Sequence, residues 1–120
     1  MPESSSQKLA IHCAQAADRK LALDIQILDL RKVSSFTDFF VICSADSEPQ
    51  LRAIASEIES SIQEELGLKP YSRDGATQTQ WLVLDYVDVV IHIFMDPVRQ
   101  KYALEDFWSD APVLDFSPTP

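Results

Sequence analysis

The stretch Asp38-Phe39-Phe40-Val41-Ile42-Cys43-Ser44-Ala45 constrains this chain more than any other. Its apolar residues run almost without a break, so it cannot be a strand with one wet face. A run of this length and kind predicts a central strand buried on both faces, and hence a sheet covered on both sides. Around it lie helical and strand-like patterns in alternation, which predicts a single α/β sandwich.

DIQILDL, residues 24–30, reads as a strand ahead of the central one. After it, Ser47 opens the clearest helix. Ser47 and Gln50 have the spacing of a capping box, Glu48 suits the helix N-terminus, and Pro49 is tolerated in the first turn. Leu51, Ile54, Ala55, Ile58, Ile62 and Leu66 then keep the 3.6-residue period, and Gly67 supplies a left-handed stop. LKPYSRDGAT, residues 68–77, predicts a short edge strand and a turn at Asp74-Gly75. QWLVLDY (80–86) and DVVIHIF (88–94) predict a tight antiparallel hairpin turning at 86 and 87, with Trp81 opposite His92 and Phe94 diagonal to it. Asp96 as cap and Pro97 at the first helical position predict a last helix ending near Trp108.

Upstream, Ser6 is a candidate cap for a first helix to about Lys20, with a narrow stripe of Leu9, Cys13, Ala16 and Ala17 that places it at the edge of the core. The whole is a mixed sheet of about five strands. Residues 1–5 are expected to be disordered, 6–110 to form the domain, and the Pro-rich tail 111–120 to be extended or mobile.

Several function classes lose ground. The chain has only two glycines, Gly67 and Gly75, and neither GxGxxG nor GxxxxGK[ST] occurs. No GxSxG elbow is present. Cys13 and Cys43 stand far apart with no CxxC motif, which suits two inert thiols in a reducing compartment. No stretch approaches the ~20 apolar residues of a membrane span, and the N-terminus lacks a signal-peptide pattern, so a cytoplasmic location is expected. The net charge of −9 disfavours phosphate backbones and suits a basic protein partner; it equally serves solubility.

Asp85, Asp88 and His92 are the only polar constellation of interest, and a divalent metal could use such groups. Asp88 and His92 would lie about 13 Å apart along one strand at ~3.3 Å per residue, which argues against a shared ion. A nucleotidyltransferase site needs a Gly-Ser turn and a DxD pair, and this chain has neither. No cofactor is expected. The aromatics are more suggestive: Trp81 and Tyr102 fall at neighbouring ends of a strand and a helix, with Phe94, Met95 and Arg99 nearby. Trp, Tyr and Arg are the commonest interface anchors, although core packing explains aromatics equally well.

The ordered set DIQILDL, SSFTDFFVICSA, LRAIA, WLVLDYVDVVIHIF and RQKYALEDFW resembles the Iojap-like ribosomal silencing factor family over about residues 7–110. The resemblance implies a nucleotidyltransferase-like fold without the catalytic residues. It implies binding to large-subunit ribosomal protein fourteen, blocked joining of the small subunit, and lowered translation under nutrient limitation. It also implies homodimers, and a ribosome-binding surface containing Trp81 and Tyr102. Three positions depart from the family pattern. Asp74-Gly75 stands where Glu-Gly is common, Val87 where the hairpin turn usually has Gly, and Lys101 where an apolar residue usually precedes the tyrosine. Valine at a position that prefers φ > 0 is expected to be strained.

Overall fold

A computed structural model describes residues 4–76 and 80–116. The strands are β1 Leu23–Asp29, β2 Phe39–Ala45, β3 Ser72–Ala76, β4 Trp81–Asp85, β5 Val89–Met95 and β6 Val113–Leu114. They form one sheet of order β3-β4-β5-β2-β1-β6. β2 and β5 are parallel neighbours at its centre, from Phe39 beside Val89 to Ala45 beside Met95. The other pairs are antiparallel. Every residue of β2 is buried, as its unbroken apolar run requires.

Both faces are covered, unequally. Helices α1 (Ser5–Arg19) and α2 (Glu48–Leu66) lie on the face presented by Phe39, Val41, Cys43, Ile91 and Ile93. The opposite face carries Phe40, Ile42, Phe94 and Trp81, and the short helices α3 (Asp96–Tyr102) and α4 (Leu104–Phe107), with the segment to Ala111, pack against it.

α2 follows its sequence signals closely. The Gln50 N–H donates to Ser47 Oγ, and Gly67 ends the helix at φ +69°. The reciprocal half of the capping box is displaced: Gln50 Oε1 accepts from the Asp46 N–H (2.6 Å), while its Nε2 donates to the Lys20 and Leu21 carbonyls.

The structure corrects several expectations. The cap of α1 is Ser4, which accepts from the Gln7 N–H; Ser6 Oγ instead donates to Asp38. That puts residues 4 and 5 into the fold, and residues 1–3 lie outside the described ones. α1 is not peripheral, because Ala10 and Ala14 join the stripe and the whole small-residue face is buried in the main core. Asp74 and Gly75 are not a turn but sit within β3, opposite Val83 and Leu82. The tail contributes a sixth strand, with Val113 and Leu114 paired to Leu28 and Ile27; residues 117–120 lie outside the described ones.

The hairpin pairs Trp81 with Phe94 and Val83 with His92, two residues away from the expected register. The turn is centred one residue later than expected, on Val87 and Asp88, and each residue of turn displacement moves the pairing by two. The Asp88 N–H donates to the Tyr86 carbonyl around Val87, whose φ of +75° marks the rarer, strained sense of a three-residue turn. The last helix is broken rather than continuous, with Ala103 in the left-handed region at φ +47° between α3 and α4.

Candidate docking surface

The thinly covered face of the sheet carries a band of rings. Trp81 opens β4 just after Gln80, whose φ of +59° turns the chain into the strand and whose carbonyl accepts from the Met95 N–H. Directly opposite Trp81, Phe94 is fully buried and stacks beneath the indole at 4.8 Å between centroids. Tyr102, at the end of α3, packs on Trp81, also at 4.8 Å, and keeps 51% of its surface in solvent. The Lys101 ammonium lies 5.7 Å over the Tyr102 ring, so the charged residue beside the tyrosine covers it rather than pointing away.

Arg99 is not a surface anchor. It is 8% exposed and reaches inward. Its Nε donates to Glu105 Oε1 (2.6 Å), and its Nη1 donates to Ser44 Oγ (2.9 Å) and to the Leu23 carbonyl (3.4 Å). One guanidinium thus ties α3, α4 and the sheet together across the break at Ala103. The Arg99 carbonyl also accepts from the Ala103 N–H. Phe94 and Arg99 therefore support the patch from below. Met95, partly buried, follows at the strand end.

His92 continues the band. The indole Nε1–H of Trp81 donates to His92 Nδ1 at 3.2 Å. That assigns the ring proton to Nε2, which is buried and meets no acceptor among the described residues. Burial pushes the His92 pKa down to about 4, against a weaker upward pull from Glu105, so the ring is neutral at pH 7. Phe40 meets His92 at 4.6 Å, and Phe36 and Trp108 meet Phe40 at 6.3 and 6.0 Å. Phe36 and Tyr71, which no periodic pattern marks, stand 63% and 81% exposed at the far end. The one sequence signal for them is an aromatic residue set in a polar connection.

Asp85 and Asp88 do not converge with His92. Asp85 Oδ1 accepts from the Val87 N–H (2.7 Å), and the Asp88 carbonyl accepts from the Asp38 and Phe39 N–H groups. Both are turn residues, and His92 is engaged by Trp81. Among the described residues no group of three or more His, Cys, Asp or Glu is placed to hold a metal ion. Cys13 and Cys43 are free, buried and held protonated by burial. No helix among the described residues is long and apolar enough to cross a membrane.

Comparison with known proteins gives a consistent result. A family model described as "Ribosomal silencing factor during starvation" matches residues 3–120. The ribosomal silencing factor of Bacillus subtilis is 38% identical over 115 residues, covering 96% of this chain and 94% of its own. That of Halalkalibacterium halodurans is 37% identical over 111 residues, covering 92% and 94%. A crystal structure of a Chromobacterium violaceum protein superposes with a TM-score of 0.83 at 25% identity, covering 88% of each chain.

Proposed function

This chain belongs to the ribosomal silencing factor family, and from that premise we propose that it represses translation by docking on the large ribosomal subunit through Trp81 and Tyr102. The partner in this reading is large-subunit protein fourteen, reached in the cytoplasm. The mechanism is occupancy: the bound factor fills a surface that the small subunit must reach, so joining fails and translation falls under nutrient limitation. Nothing is cleaved or transferred.

The observation that carries the reading is the contact between Trp81 and Tyr102, 4.8 Å apart and seated on the buried Phe94. Two aromatics from different elements, one of them half in water, are held in one orientation before any partner arrives. Each is flanked by a non-glycine residue in the left-handed region, Gln80 before Trp81 and Ala103 after Tyr102. Such strain costs of order 1–3 kcal/mol per residue, and it clusters at functional sites. A rigid aromatic pair with little left to order on binding is the form hot spots take. The acidic charge suits a basic ribosomal protein.

Co-sedimentation with purified large and small subunits tests this. Wild type should pellet with large subunits only and should inhibit subunit joining. Tyr102→Ala, at an exposed position, and Trp81→Ala should lose both activities while keeping a folded circular dichroism spectrum. Wild-type behaviour by both variants would refute the site.

A further inference from the structure

The band of rings ends in a groove. Beyond His92 the sheet face opens into a concavity of about 510 Å³ whose walls include Phe36, Phe40, Tyr71, Val90 and His92, with Asp85 at the rim. Val87 lines it too and is 55% exposed. Phe36, Tyr71 and Val87 come from three separate connections, yet all leave large apolar surfaces in water around one hollow. Single exposed apolar side chains need no explanation, but three around one groove mark a binding surface.

The polar features of the groove narrow its occupant. Among the described residues that line it, Asp85 is the one carboxylate and His92 stays neutral, and Asp88 stands exposed in the same turn. The His92 Nε2–H, buried behind the groove wall, has no acceptor among the described residues. We propose that this groove is a side-chain-binding site for a protein partner, taking one aliphatic or aromatic side chain with a lysine or arginine next to it that pairs with Asp85 and Asp88. It rests on the docking reading, as a second foothold continuous with Trp81 through the bond from Trp81 to His92. The acidic rim would repel the phosphates of an RNA strand. A second copy of this chain carries the same net charge of −9, which suits the acidic rim less than a basic partner does.

The test uses the full chain, isotope-labelled, titrated with acetyl-Lys-Leu-Lys-amide and with acetyl-Glu-Leu-Glu-amide while side-chain resonances are followed by NMR. The basic peptide should shift Phe36, Tyr71, Val90 and the His92 Nε2–H together, bind about tenfold or more tighter than the acidic one, and lose that margin in Asp88→Asn. No shift at these residues, or equal binding of the two peptides, overturns the groove. So does an octamer of uridines, or raised protein concentration alone, moving the same resonances more strongly than the peptide. Sedimentation of the wild-type chain with large subunits decides the docking reading separately. A chain that binds the basic peptide but no subunit would keep the groove and lose the docking. Where docking holds, Phe36→Ala and Tyr71→Ala should each weaken subunit binding about tenfold; wild-type affinity in both would remove the groove from the interface.

Discussion

Trp81 donates its indole N–H to Nδ1 of His92 over 3.2 Å, so a residue at the rim of the patch fixes the tautomer of one inside the sheet face. Trp81→Phe keeps the ring on Phe94 and removes only the donor. It should cost about 1–2 kcal/mol, the usual consequence of leaving a buried acceptor unpaired. Nitrogen NMR of the imidazole should then show both tautomers where wild type shows one, with the proton on Nε2.

His92 should make stability fall in mild acid. Burial holds its folded pKa at about 4 against an ordinary 6.5, so between those values the unfolded chain takes up the proton first. The contribution of the neutral ring is complete above pH 6.5 and is lost as pH falls toward 4, by up to ~3 kcal/mol. Urea unfolding at pH 7, 5.5 and 4.5 should show this decline, and His92→Gln should flatten it. Asp29, held below its ordinary range mainly by the side-chain hydrogen bond from Arg31, should add a further loss only below about pH 4.

Val87→Gly should stabilise the protein. Valine at φ +75° carries the steric cost of a β-branched residue in the left-handed region, and over half of its side chain is already in solvent. Relief should outweigh the extra unfolded-state freedom of glycine by about 1 kcal/mol, a rise of roughly 3–6 °C in Tm. Val87→Ala keeps the strain and should show no such rise in a thermal melt.

Arg99→Met should loosen the patch without touching a partner. It removes the donors to Glu105, Ser44 and the Leu23 carbonyl and should cost about 2–4 kcal/mol. Arg99→Lys should rescue little, because a single ammonium cannot serve acceptors that Nε and Nη1 meet in different directions. The readout is subunit binding well below Tm, where Tyr102 should no longer hold its place on Trp81.

The sequence spoke most clearly where its signals were local. Ser47, Gly67 and the period between them specify α2 almost residue by residue, and the apolar run at 38–45 specifies the central strand. It was quieter where tertiary contacts decide. Nothing in KYALED marks a break, since alanine is a helix former; the left-handed Ala103 is held by Arg99, whose carbonyl receives its N–H and whose side chain reaches Glu105. The hairpin register turned on Val87, which has none of the chemistry of a turn residue. β6 is two residues long and carries no period at all. For the site, Trp81 and Tyr102 were legible as a neighbouring pair. The burial of Phe94 and Arg99 depended on a register and a helix break that the pattern does not encode.

The parallel pairing of β2 with β5 carries a consequence for how the chain is made. Phe39 cannot find its partner until Val89 has been synthesised, and α2 and the β3–β4 ribbon lie between them. Long-range parallel contacts of this kind form late, because loop closure must come first. At ~5–20 residues per second, the fully buried strand β2 waits on the order of several seconds with one edge unpaired. During that interval its shield is α1 and β1, which precede it in the chain. The order of elements therefore acts as a timetable, in which the helix at the start covers the strand whose other neighbour arrives last.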